Sequence, residues 1–211
     1  MINKSLIIFD FDGTLADTFE SGAKLINSFA EKFGYEKIDF AKNKNKSARE
    51  LIKMSKVRFW QIPKLVKFFR TESDKMADNI KPFFGINNLL SILYKDNYDL
   101  GIVTTNSKTT VSKFLTANNL DQYFIFLITD ISLFGKKRIL KRVIRQNKTK
   151  YRNIIYIGDE IRDIEACNKA NMSIISVSWG FNSEDILKTQ NNWVANSTDD
   201  VVRILKKIDA F

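Results

Sequence analysis

Five short apolar segments, Ser5–Phe9, Asp99–Val103, Tyr123–Ile128, Asn153–Ile157 and Ser173–Val177, constrain this chain of 211 residues more than any other feature. Each is dominated by Leu, Ile, Val and aromatic residues and reads as a buried strand. Helical stretches separate the last four, which is the βαβ pattern of a parallel, doubly wound α/β sheet. In such sheets the working groups lie beyond the carboxyl ends of the strands. Four of those ends here are polar: Asp10 with Asp12, Thr104 with Thr105, Asp130, and Asp159.

One interval breaks the alternation. Almost ninety residues separate the first strand from the second, far more than one crossover helix needs. Ala23, Ile26, Phe29, Ala30 and Phe33, and later Leu65, Val66, Phe68 and Phe69, recur at helical spacing within it. The expectation is an α/β core built from residues 1–16 and 82–211, with a helical module over 17–81 inserted above the strand ends. Pro82, Phe83 and Gly85 mark the return, followed by a helix through Leu93.

Composition narrows the chemistry. The chain contains 0 histidines, so imidazole-based metal centres, phosphohistidine chemistry and Ser-His-Asp or Cys-His hydrolysis are excluded. A single cysteine, Cys167, cannot form an internal disulfide and fits a reducing cytosol. No apolar run reaches the ~18–20 residues that span a bilayer, and Leu6–Phe9 is too short for a signal-peptide core. A cytoplasmic location is expected. The net charge is +10, and Lys136–Arg152 holds nine basic residues and no acid. Ile139, Leu140, Val143 and Ile144 share one face of that run, so it reads as one amphipathic helix with a solvated basic surface.

The first strand runs into "IFDFDGTLADT" (Ile8–Thr18). Acids at i and i+2 of an extended chain point to the same side, so Asp10 and Asp12 repel unless a cation stands near them. Gly13 permits a sharp turn, and the Thr14 hydroxyl can hold Asp12 or the turn itself. Thr104, Thr105 and Asn106 precede a helix that starts near Ser107, where free amides and hydroxyls can cradle phosphate oxygens. Lys136 follows Gly135, with Lys137 as the competing lysine. Asp159 and Asp163 open the helix after the fourth strand, four residues apart on one face, a pattern that suits a hard divalent cation.

Taken in order, "DFDGTLADT", "IVTTNS", "FGKKRIL" and "IGDEIRDIEA" resemble the four motifs of the haloacid-dehalogenase-like superfamily of phosphohydrolases. The resemblance covers essentially the whole chain and is closest to the phosphoglycolate-phosphatase-like branch, whose helical cap follows the first motif. It implies a Rossmann-like core with a helical cap, and a Mg2+-dependent phosphomonoesterase working through an aspartyl-phosphate. By this resemblance Asp10 is the nucleophile, Asp12 the acid/base, and Lys136 the ammonium that offsets repulsion between nucleophile and phosphate. Thr104, assisted by Thr105 and Asn106, binds phosphate together with Lys136. The implied Mg2+ ligands are Asp10, the main-chain carbonyl of Asp12, Asp159 and Asp163.

Substrate choice is expected in the cap. Residues Glu36–Lys81 hold thirteen basic and six acidic residues, which favours a substrate with a second anionic group. Lys46 and Arg49 are the candidate specificity residues, and Trp179 and Phe181 could line the site or simply pack. The expected partner is a small phosphorylated metabolite, with no membrane and no nucleic acid, the chain acting as a monomer or homodimer. The alternatives are a sugar-phosphate mutase or phosphotransferase with the same catalytic residues, and a non-catalytic nucleic-acid-binding protein using the basic helix 136–152. A phospho-accepting receiver is opposed by the insertion after the first strand and by Asp12.

Overall fold

The computed structural model describes residues 4–46, 48–129, 131–132 and 135–210, with the side chains of residues 48 and 49 outside that description. Strand β1 (Leu6–Phe9) is followed by helices α1 (Phe19–Ser28), α2 (Ala30–Phe33), α3 (Ala48–Ser55) and α4 (Ile62–Met76). Helix α5 (Ile86–Lys95) then leads to β2 (Asp99–Val103). From there helices and strands alternate: α6 (Lys108–Ala117), β3 (Phe124–Ile128), α7 (Lys136–Asn147), β4 (Ile154–Gly158) and α8 (Ile161–Asn168). The chain ends with β5 (Ser173–Val177), α9 (Glu184–Lys188), β6 (Val194–Ala195) and α10 (Thr198–Asp209).

The strands form one parallel sheet in the order β3-β2-β1-β4-β5-β6. From β1 the chain winds outward through β2 and β3, then returns to place β4 on the other side. The winding direction therefore reverses between β1 and β4, and this switch point is where an open α/β sheet leaves a crevice for ligands.

Successive residues of each strand serve opposite faces. Ile7 and Phe9 of β1 join Leu100, Ile102, Ile155 and Ile157 against α5, α6 and α10, through side chains such as Leu89, Phe114 and Leu205. Leu6 and Ile8 join Val103, Tyr156 and Ile174 against α7, α8 and α9, through Leu140, Ile164 and Leu187. The central strands are covered on both faces, which is why they read as mainly apolar runs, while edge strand β3 leaves Ile125 exposed. The five expected strands lie within one residue of the observed ones. The two-residue β6 was not anticipated, because a strand that pairs only through Val194 and Ala195 leaves no periodicity to detect. Helix α7 stops at Asn147 instead of running to Arg152. The Arg152 amide turns to the Lys4 carbonyl (2.9 Å), which sets the chain into the sheet beside β1. Asp130 lies outside the described residues.

The helices between β1 and β2 carry a small core of their own, in which Phe29, Ala30, Phe33 and Tyr35 pack against Leu25, Leu65, Phe68 and Phe69. The chain leaves and re-enters the α/β layer side by side: Ala16 bridges Pro82, and the Asp17 amide donates to the Lys81 carbonyl at 2.9 Å.

Candidate active site

Parallel pairing of β1 with β4 sets the Asp10 amide on the Ile157 carbonyl (2.8 Å), so the acids that follow the two strands are neighbours at the switch point. After Asp10 the chain turns tightly, with the Thr14, Leu15 and Ala16 amides all directed at the Phe11 carbonyl. Phe11 is fully buried and meets Phe114 edge-on, which anchors the turn in the core. Gly13 has φ +74, and a Cβ there would stand 2.1 Å from Asp159 Oδ2. Gly180, in the loop after β5, would bring a Cβ to 2.3 Å from the same oxygen. The two glycines clasp the Asp159 carboxylate between backbones. The Thr14 hydroxyl donates to Asp159 Oδ1 (3.0 Å) and the Phe181 amide to Oδ2 (2.7 Å). Thr14, expected at Asp12 or in its own turn, thus serves the fourth-strand acid.

Asp10, Asp159 and Asp163 are all buried, and each offers a carboxylate oxygen within 4.8 Å of the others. Lys136, the first residue of α7, reaches this cluster with Nζ at 2.6 Å from both Asp10 Oδ2 and Asp163 Oδ1. Lys136 is buried and Lys137 is exposed, so the register of α7 distinguishes the two candidates. Burial pushes the Asp10 carboxyl up to about 6, although the Lys136 ammonium pulls it down. Burial holds the Asp159 carboxyl well above the usual range, helped by its neighbours Glu160, Asp163 and Asp10. Burial works against the Lys136 charge, but Asp10 and Asp163 outweigh it and raise its pKa.

One ammonium facing three buried carboxylates leaves a deficit of positive charge. The donor set is oxygen only and lies at a strand-end crevice, so it fits a hard divalent cation such as Mg2+. Asp163 also closes a reciprocal cap with Glu160 at the start of α8, which explains why an acid is stable there with or without a metal.

Asp12 stands apart from the cluster. Its carboxylate accepts from the Thr18 hydroxyl (2.9 Å) and from the Asn106 side-chain amide (3.0 and 3.1 Å). Burial raises the Asp12 pKa, while these two hydrogen bonds favour the ionised form. The loop after β2 is folded around Asn106: its amide donates to Thr104 Oγ1 (3.1 Å), and its Oδ1 accepts from the Ser107 amide (2.7 Å). Ser107 caps α6, accepting from the Thr110 amide at 3.0 Å. Thr104 is fully buried beneath this turn, and the Thr105 carbonyl accepts from Arg70 Nη2 at 3.0 Å.

Of the two specificity candidates, Lys46 sits at the end of a turn that touches the loop after β5, where the Lys44 carbonyl accepts from Asn182 Nδ2 and Asn45 Oδ1 from the Ser183 amide. The Arg49 side chain lies outside the described residues. Phe181 packs on Phe19 (centroids 5.6 Å apart), and Lys44 Nζ lies 5.7 Å from the Phe19 ring centre. Trp179 packs at the edge of the core and donates to the Thr14 carbonyl at 3.1 Å.

Thr18, Gly180 and Arg162 escaped the sequence reading. Arg162 pairs with Glu160 at 2.5 Å, and its buried Nε lacks a hydrogen-bond partner among the described residues. A cation in the first turn of a helix opposes the helix dipole, and that was the available signal.

A doubly wound sheet carries an aspartate–lysine cluster at its switch point and a helical insertion straight after the first strand, the frame of an α/β hydrolase. Residues 7–177 match the family model described as haloacid dehalogenase-like hydrolase, and the chain belongs to that family. The phosphoglycolate phosphatase of Synechococcus elongatus is 27% identical over 206 residues, spanning 96% of this chain and 97% of that protein. Pyrophosphatase PpaX of Bacillus mycoides is 24% identical over 214 residues, spanning 96% and 97%. Among solved structures, one described as a predicted phosphatase from Clostridium acetobutylicum matches with TM-score 0.80 at 25% identity, over 96% of this chain and 98% of that one.

Proposed function

We propose that this chain is a Mg2+-dependent phosphatase that hydrolyses a phosphomonoester of a small metabolite through an aspartyl-phosphate, in the manner of the phosphoglycolate phosphatases. One observation carries the reading: two aspartates of a single turn have different direct partners. Asp10 is ion-paired to Lys136 inside the acid cluster, while Asp12 is held outside it by Thr18 and Asn106. A nucleophile and a proton carrier need this separation, because one must be ionised while the other gives up a proton.

In the proposed sequence, Asp10 attacks phosphorus and the ester P–O bond breaks, with the leaving oxygen taking a proton from Asp12. Asp12 then accepts a proton from water as that water attacks the aspartyl-phosphate, which releases inorganic phosphate and restores both carboxyl groups. Lys136 neutralises the approach of two anions. Thr104, Thr105 and Asn106 supply the hydroxyls and amides for phosphate oxygens at the start of α6. Asp10, Asp159 and Asp163 would hold Mg2+, with the Asp12 carbonyl. The ion supplies charge neutralisation for the transferring phosphoryl group.

Residues 17–81 act as a cap in this reading, with the paired connectors at Asp17 and Lys81 as its joint. Its cationic rim, Lys44 and Lys46, suits a substrate bearing a carboxylate or second phosphate. Asp10→Asn should abolish hydrolysis of an aryl phosphate with the fold intact by circular dichroism, and EDTA should silence the wild type until Mg2+ is restored. Full activity of the variant removes the nucleophile assignment, and activity in EDTA removes the metal.

A further inference from the structure

Helix α4 touches the loop that holds Asn106 at two points one helical turn apart. Arg70 Nη2 donates to the Thr105 carbonyl at 3.0 Å. Four residues on, Asp74 Oδ1 accepts from the Ser107 hydroxyl and from the Thr110 hydroxyl (2.6 Å). The Asp74 carbonyl also accepts from Lys113 Nζ, one turn further along α6 (3.1 Å). The i, i+4 spacing puts Arg70 and Asp74 on one face of α4, so the helix grips the loop on the Thr105 side and the α6 cap on the other.

From there the contacts run inward without a gap. Ser107, held by Asp74, presents its amide to Asn106 Oδ1 at 2.7 Å. That bond fixes which end of the Asn106 side chain faces which way, because only its Nδ2 can donate to the Asp12 oxygens at 3.0 and 3.1 Å. A carboxylate at the first turn of α6 is favoured by the helix dipole on its own account. That preference does not require the carboxylate to come from another helix, nor an arginine on the same face to hold the neighbouring carbonyl.

We infer that Arg70 and Asp74 are positioning residues, through which α4 sets the Asn106 amide and hence the orientation of Asp12. This deepens the phosphatase reading and rests on Asp12 being the proton carrier. Productive proton delivery would then require α4 to be seated on the α6 loop, tying the helical insertion to the chemistry through Arg70, Asp74 and Ser107, which touch no reacting atom.

The test uses the leaving group. An alkyl phosphate needs a proton on its departing oxygen, whereas p-nitrophenyl phosphate departs as a stable anion and needs it far less. Asp74→Ala and the milder Ser107→Ala should lower kcat/KM, which reports the step in which the leaving group departs, on an alkyl phosphate by about tenfold or more, and on p-nitrophenyl phosphate by about twofold or less. Asp12→Asn should show the same leaving-group pattern more strongly. Adding Asp74→Ala to Asn106→Ala should cost little beyond Asn106→Ala alone. Asp74→Glu, which keeps the acceptor, should recover part of the loss. Equal losses on both substrates, or additive losses with Asn106→Ala, would overturn the inference. An Asp12→Asn variant without leaving-group dependence would instead overturn the phosphatase assignment of Asp12. Should Asp74→Ala fold poorly in a thermal melt, Ser107→Ala decides the matter by the same ratio.

Discussion

Lys136 is one of nine basic residues between positions 136 and 152, and it alone among them is buried. It bridges two carboxylates that belong to the ends of different strands, Asp10 after β1 and Asp163 after β4. Breaking a buried pair by removing one partner leaves the other charge uncompensated. Lys136→Met should therefore destabilise the metal-free protein by about 3–5 kcal/mol in urea unfolding. Lys137→Met, on the exposed side of the same turn, should stay within about 0.5 kcal/mol of wild type. Mg2+ should narrow the Lys136→Met deficit, because a bound cation takes over part of the compensation. Activity should remain lost, since the metal does not replace the ammonium at Asp10. Equal effects of the two substitutions would show that the register of α7 had been misassigned. In the sequence, Asp10 and Asp12 were legible as two acids at one strand end, but the cation expected between them pairs with Asp10, while Asp12 is held by Thr18 and Asn106 instead. Lys136 was legible only through its place among the other motifs. Thr18 and Gly180 were not, because a hydroxyl that meets Asp12, or a missing Cβ beside Asp159, has no local signature.

At the scale of elements, the sheet separates function from stability by its two ends. The carboxyl ends carry the acids, and the opposite ends are tied by tyrosines. Tyr98 donates to Asp209 at the end of α10, which also accepts from Ser5 (2.8 Å) and Asn153 (2.8 Å). Tyr151 donates to Asp99, the first residue of β2, at 2.7 Å. Burial pushes the Tyr151 phenol up to about 12, reinforced by its hydrogen bond to the Asp99 carboxylate, and Tyr98 is raised for the same reasons. A phenol whose folded pKa exceeds its unfolded value contributes stability that is full below about 10 and is lost as pH rises through the folded value. Thermal melts should fall steeply between pH 10 and 12 (about that window by linkage), and the fall should be shallower in Tyr151→Phe. An absorbance titration at alkaline pH should show one fewer late-titrating phenol in that variant. If Tyr151 titrates with the exposed tyrosines, this tie is absent in solution. These ties were invisible in sequence because each joins residues more than fifty positions apart. The strands themselves were plain, since burial on both faces favours apolar side chains between turns.

At the scale of the whole molecule, the long interval between β1 and β2 is a helical insertion whose aromatic core around Phe29, Phe33 and Phe68 is independent of both sheet faces. What the interval could not announce is how that unit meets the site. Several of its contacts around the site are polar: Arg70 to Thr105, Asp74 to Ser107, Asn182 to Lys44 and Asn45 to Ser183. Phe19 against Phe181 is the aromatic one, and Phe181 is the residue whose amide holds Asp159. Polar contacts exchange with water at small net cost, so such a joint can open without exposing a core. The aromatic pair adds about 0.5–1.5 kcal/mol to the closed state beyond area burial, which is a factor of about two to ten in its population. Phe19→Ala should therefore shift the molecule toward open forms while leaving the insertion's core intact. The expected result is a severalfold rise in the ratio of kcat/KM for a phosphopeptide to kcat/KM for a small phosphorylated acid. Hydrogen exchange should be faster in the loop that carries Phe181 and unchanged in β1 and β4. An unaltered substrate ratio together with faster exchange would mean that the joint loosens without governing entry, and that selection lies in the cationic rim alone.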